Sequence, residues 1–189
     1  MKKFNILLLS FYYTPDYCAG SFRAKSLSDA LLREQSVNHL YIYTTQPHRY
    51  GEIENFRTEN NQSKSTTVKF KIPQHNNVFL RQVYSFFIYA IKSFVFSIKN
   101  RKKIDLILIT SSRFGTSFLG FITSKVLKKP LAIDIRDIFS DNLNSFNNSN
   151  SFLIKFLIKI IKKIEITIIR HAKWKNFVSP GFLEYYDPS

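Results

Sequence analysis

Asp134, Arg136 and Asp137 follow directly on the apolar run from Leu131, setting two carboxylates and a guanidinium at the point where a buried strand should leave its sheet. A carboxylate there can accept a proton or hydrogen-bond a sugar hydroxyl, and arginine offers a planar fork to phosphate or carboxylate. The plainer reading is an ion pair that orders the strand end, and residue types alone leave both open. A second chemical feature is the stretch from Ile6 to Leu32, where Ile6, Leu7, Leu8 and Leu9 run through a loop with Pro15 and Gly20 into a helix beginning near Ser21. Strand, loop and helix in that order place the loop at the carboxyl end of a parallel strand. Open α/β sheets form ligand crevices there, and a helix N-terminus attracts phosphate. The Gly20 loop and the Asp134 group are expected to face one crevice.

Several chemistries are excluded by what those segments lack. A dinucleotide site needs three glycines in a tight turn and an acid closing the second strand, whereas here one glycine stands in the first loop and the second strand ends in Thr44 and Thr45. No lysine follows a glycine-rich turn as a P-loop requires. His39, His48, His75 and His171 are scattered without metal-ligand spacing, so no metal is expected. The lone Cys18 rules out an internal disulfide and suits a reducing cytoplasm.

The elements that must position these groups are legible from periodicity. Ile6–Leu9, Leu40–Thr44, Val68–Ile72, Leu106–Ile109, Leu131–Ile135 and Asn176–Val178 read as strands, the third as a half-exposed edge because Lys69 and Lys71 alternate with apolar residues. Helices are predicted from Ser21, over Phe79–Lys99, Gly115–Leu127 and Phe152–Arg170, and after Ser179, which can cap a helix with Pro180 at its first position. Polar stretches from Gln46 to Ser65 and Phe139 to Ser151 read as long loops. Strands interleaved with helices specify an α/β fold with a doubly wound, mostly parallel sheet. At 189 residues and 44% hydrophobic content the chain forms one domain with a sizeable core. Lys2 and Lys3 before an apolar run imitate a leader, but Asn5 and Ser10 dilute the run and no small-residue cleavage pattern follows, so it reads as the first strand.

With 28 Lys and Arg against 13 Asp and Glu, the formal charge is +15, which calls for anionic surroundings. Lys155, Lys159, Lys162 and Lys163 fall with Arg170 in an arc of about 100° on the helix from Phe152. Such a stripe is either a solvated face of a buried helix or a contact to an anionic membrane surface. Lysines interrupt every long apolar run, so no segment is expected to span a bilayer. No module of interleaved aromatic and basic residues points to nucleic acid, which is not expected as a partner.

Four segments in order carry a resemblance: Ile6 to Leu31 with Pro15, Gly20 and Arg23; Thr45 to Ile53 with Pro47, Tyr50 and Gly51; Asp134 to Asp137; and Val178 to Phe182, reading Val, Ser, Pro, Gly, Phe. Together they resemble the N-terminal, acceptor-side domain of family-4 retaining GT-B glycosyltransferases of the bacterial surface-polysaccharide type. The resemblance implies that residues 1–189 are one Rossmann-like half of a GT-B fold, facing a donor-binding domain that lies outside this sequence. It implies sugar transfer from a nucleotide-sugar to a lipid-linked or polysaccharide acceptor, at the cytoplasmic face of the plasma membrane, with no cofactor beyond the donor substrate. Gly20 would approach the donor diphosphate, Arg23 would open the following helix, and Arg136 and Asp137 would line the acceptor side of the cleft, with Gly20, Arg23, Asp134 and Arg136 as the substrate-binding residues. Asp137 would be the catalytic residue, taking a proton or orienting the acceptor. The chain departs from that pattern at Phe139, Ser140 and Asp141, where such relatives carry Trp, Pro and Glu. A chain without its donor half is expected to be inactive alone unless a separate donor-domain chain completes it. The other readings are a non-catalytic basic module for anionic membranes or nucleic acid, and a truncated remnant.

Overall fold

The computed structural model describes residues 3–47, 59–73, 79–111, 113–141 and 152–186. In chain order these form β1 (Phe4–Leu9), α1 (Ala19–Arg33), β2 (Val37–Thr45), β3 (Glu59–Gln62), β4 (Ser65–Phe70), α2 (Phe79–Lys99), β5 (Leu106–Ser111), α3 (Phe114–Leu127), β6 (Leu131–Ile135), α4 (Phe152–His171), β7 (Trp174–Phe177) and α5 (Pro180–Tyr186). The sheet runs β3-β4-β2-β1-β5-β6-β7. Six strands are parallel, and β3 alone pairs antiparallel, with β4.

Successive residues of β1 point to opposite faces, so its run of large aliphatics is buried on both sides. Leu7 and Leu9 enter the larger core beneath α2, α3 and α4, while Ile6 and Leu8 enter a smaller one beneath α1. Each fully buried leucine contributes about 1.5–3 kcal/mol. Helix α1 lies close on the sheet because the residues facing it are small, Ser21, Ala24 and Ser28. Helix α3 lies closer still: a Cβ at Gly120 would stand 2.5 Å from Ile109 Cγ2, so only glycine permits this helix-to-strand approach. The helix ends where Lys128 turns left-handed at φ 54° and Pro130 follows.

Two sequence expectations change. The polar stretch from Gln46 to Ser65 is not loop throughout, because residues 59–62 form β3 and Ser65 already starts β4. Strand β4 accordingly starts before Val68 and is not the sheet edge. Its alternation reflects its two faces: Val68 enters the larger core, whereas Ser65, Thr67 and Lys69 line a polar cavity with Lys25, Asp29 and Leu32 of α1, and β3 takes the edge position. Pro47 is described but Tyr50, Gly51 and Ile53 lie outside the described residues, as does most of the asparagine-rich stretch before Phe152.

Candidate functional site

Strand β1 pairs with β2 on one side and with β5 on the other, so the strand order reverses between β1 and β5. In open α/β sheets the loops diverge at such a point and leave a crevice at the carboxyl ends. A cleft of about 280 Å³ lies there, lined by Ser10, Phe11, Tyr12, Gly20, Thr110, Arg113, Thr116 and Arg136. It draws on the end of β1, the first turn of α1, the end of β5, the start of α3 and the residue after β6.

The cleft is electropositive by construction. Neither α1 nor α3 has a side-chain cap or an acidic residue in its first turn, so the backbone N–H groups at both N-termini keep their partial positive charge. Arg113 sits between, its guanidinium 5.4 Å from the Phe11 ring centroid and 5.0 Å from that of Tyr12, while its Nη2 donates to Tyr12 Oη at 2.7 Å. Arg136, half-buried, has no ion-pair partner among the described residues. Gly20 needs no special space, since a Cβ would meet Tyr12 Cδ2 at an ordinary 3.5 Å.

Asp134 and Arg23 stand behind this cleft as a clamp. Arg23 Nε donates to Asp134 Oδ2 at 3.1 Å and its Nη2 to Oδ1 at 2.8 Å. Thr110 Oγ1 adds a bond to Oδ2 at 2.9 Å, and Asn176 Nδ2 one to Oδ1 at 2.6 Å. Burial works to raise the Asp134 pKa, but the hydrogen bonds from Arg23, Asn176 and Thr110 outweigh it and hold the carboxyl below its usual range. The same contact raises the Arg23 pKa. Both carboxylate oxygens are thus committed to protein donors, and Asp134 ties α1, β5 and β7 to β6. The loop above is fastened likewise. Thr45 Oγ1 and Thr44 Oγ1 donate to Phe11 O at 2.7 and 3.3 Å, so the threonines that replace a dinucleotide acid hold the β1 loop.

Asp137 is exposed and lines a neighbouring cavity of about 340 Å³ with Phe114, Ser117, Phe139, Glu165 and Tyr186; Arg113 borders both spaces. The structure therefore groups Gly20 with Arg136, pairs Arg23 with Asp134, and sets Asp137 across Arg113 from them. The segment after Asp137 is held from beneath by Glu165, whose Oε1 and Oε2 accept the N–H groups of Phe139 and Ser140, each at 3.1 Å. Burial pushes the Glu165 carboxyl up, with Ser140, Phe139 and Lys162 opposing. A proline at position 140 would lack the second N–H.

Sequence reasoning missed Arg113 and Glu165. Arg113 was marked only by its place between β5 and a helix start, and Glu165 by being the one acid in a helix otherwise apolar and basic. None of the lysines of α4 lines the cleft. Lys155, Lys159 and Lys163 are exposed, whereas Lys162 Nζ lies 4.1 Å from the Tyr185 ring centroid. Among the described residues no group of His, Cys, Asp and Glu could hold a metal ion, and no helix is long and apolar enough to cross a membrane.

No protein-family model matches the chain, and no curated protein matches it. Solved structures do. The sucrose-phosphate synthase of Thermosynechococcus elongatus aligns with a TM-score of 0.61 at 12% identity, over 97% of this chain and 45% of the synthase. A second structure of that synthase gives a TM-score of 0.60 at 12% identity, over 96% of this chain and 80% of the other. The fold is a Rossmann-like α/β fold shared with that synthase. At this identity the likeness carries the architecture alone, and the chain spans less than half of the full synthase.

Proposed function

We propose that the chain supplies the acceptor side of a retaining glycosyltransferase that moves a sugar from a nucleotide-sugar to a lipid-linked or polysaccharide acceptor. The observation that carries this reading is the cationic cleft at the β1–β5 reversal, where Gly20, Arg113 and Arg136 meet two helix N-termini without a compensating acid. Such a site suits a diphosphate. In the proposed reaction the acceptor hydroxyl oxygen bonds to the anomeric carbon of the donor, the bond from that carbon to phosphate breaks, and its electron pair leaves with the nucleoside diphosphate. Asp137 accepts a hydrogen bond from the acceptor hydroxyl and orients it or takes its proton. Arg136 faces the phosphates. The Arg23–Asp134 clamp keeps the first turn of α1 in place, so Gly20 meets the ligand in a fixed position.

On this reading no metal or other cofactor takes part, and the nucleotide is held by a second domain or chain facing the cleft. Residues 1–189 alone then bind an acceptor and do not turn over. Calorimetric titration with a water-soluble short-chain prenyl diphospho-sugar tests the cleft. Binding should weaken roughly tenfold in Arg136→Ala, because a charge-assisted hydrogen bond is lost. Unchanged affinity in that variant would remove the cleft from the reading.

A further inference from the structure

Helices α2, α3 and α4 lie side by side on one face of the sheet. Helix α2 is apolar outward as well as inward, where half-buried Phe86, Phe94 and Phe96 pack against the core beside its most buried row. The row turned to the core is Ser85, Tyr89, Ser93 and Ser97, all buried, with Ser85 Oγ donating to Pro73 O and Ser97 Oγ to Ser93 O. The row turned outward is Leu80, Tyr84, Phe87, Ile91, Val95 and Ile98, with Leu80 74% and Phe87 62% exposed. Between α2 and α3 this row borders an open apolar groove of about 710 Å³ that includes Phe86, Ala90, Phe118 and Ile122. Across α3, the first turns of α4 add exposed Phe156, Leu157 and Ile160. An exposed apolar groove of this extent marks an interaction site.

Charge identifies what covers it. Helices α2 and α3 contain no Asp or Glu, and the single acid of α4, Glu165, is buried. Every exposed ionic group on the layer is a cation, among them Lys92, Lys99, Lys125, Lys159 and Lys163. A second copy of the chain would set these cations against one another. Nucleic acid would match the cations but leave the aliphatic row in water. An anionic bilayer satisfies both, with the apolar row in the acyl boundary and the lysines at the headgroups.

We infer that the outer face of α2, α3 and α4 docks on an anionic lipid surface, with the α2–α3 groove as its apolar centre. Each of these helices runs back from the carboxyl ends of the strands, so Leu80 and Phe156 stand at the edge of the sheet that carries the cleft. Docking through this face therefore brings the cleft mouth near the lipid.

The test is sedimentation of the purified chain with vesicles of phosphatidylcholine alone and of phosphatidylcholine mixed with phosphatidylglycerol. The chain should sediment with the mixed vesicles and stay largely in solution with the neutral ones. Two double variants at exposed positions, Phe87→Ser with Ile91→Ser and Lys159→Glu with Lys163→Glu, should each weaken that binding by about tenfold while keeping the wild-type melting temperature. Equal sedimentation with both vesicle types would overturn the inference. So would wild-type binding by the Phe87 and Ile91 variant, or a solution dimer that this variant splits in a chain that ignores vesicles. Such vesicles carry no saccharide diphosphate, so failure here leaves the cleft reading standing, and failure of the calorimetric titration leaves this one standing.

Discussion

Asp134 organises the back of the cleft through hydrogen bonds within the protein. The four hydrogen bonds it accepts come from α1, β5 and β7. Losing the charge weakens the bonds from buried Thr110 and from Arg23, whose side chain is 40% exposed, so Asp134→Asn should cost about 1–2 kcal/mol in urea unfolding. Because the folded carboxyl titrates below its unfolded value of about 4, the stabilisation is complete above that pH and is lost as pH falls further. Wild-type stability should drop steeply below about pH 4, and Asp134→Asn should flatten that limb. Glu165 works in the other direction. Its raised pKa means that protonation on acidification relieves a buried charge, and its contribution fades as pH rises through the folded value. Gly20→Ala separates ligand approach from folding, since the added methyl meets only ordinary contacts. Thermal melts should show stability unchanged or raised by about 0.5 kcal/mol, with weaker diphosphate binding by calorimetry. The chemical promise of Asp134 could be read from its neighbours in sequence. Its role could not, because Arg23 stands 111 residues away and Asn176 a further 42 on the other side.

At the scale of elements, apolar periodicity was enough to place α2 at Phe79–Lys99 and the interior strands, because each buries a full face that only one spacing can satisfy. It failed at β3, where Glu59, Asn60, Asn61 and Gln62 have no apolar residue to reveal a strand. That strand exists through its ladder with β4, a contact that no local pattern encodes. Periodicity also located the apolar residues of α2 without telling which of them face out, since three serines occupy the inner row. The α3 interface makes a sharp test. Gly120→Ala would drive a methyl into Ile109, itself fully buried, and should cost about 1–3 kcal/mol in chemical denaturation. A neutral result would mean that α3 can lift from β5, and with it Arg113 from the cleft.

For the whole molecule, the +15 charge is spread over a body in which the described residues form only two ion pairs, Arg23 with Asp134 and Lys25 with Asp29. Repulsion among like charges should therefore dominate at low ionic strength. Raising salt from about 0.01 M to about 0.3 M shortens the screening length from about 30 Å to under 10 Å and should raise the melting temperature by a few degrees. A fall would show that attraction prevails.

The central place of β1 has a temporal side. Its partner on one edge, β2, follows within the same stretch of chain, but Asn5 and Asp105, which join it to β5, lie 100 residues apart. At about 5–20 residues per second a ribosome takes on the order of 5–20 s to close that gap. Throughout that interval a strand with four consecutive aliphatic residues, Ile6 to Leu9, presents one unpaired edge, the geometry that recruits other strands. Nascent chains arrested before Leu106 should therefore need a chaperone to stay in solution, and those arrested after Ser111 should need it much less.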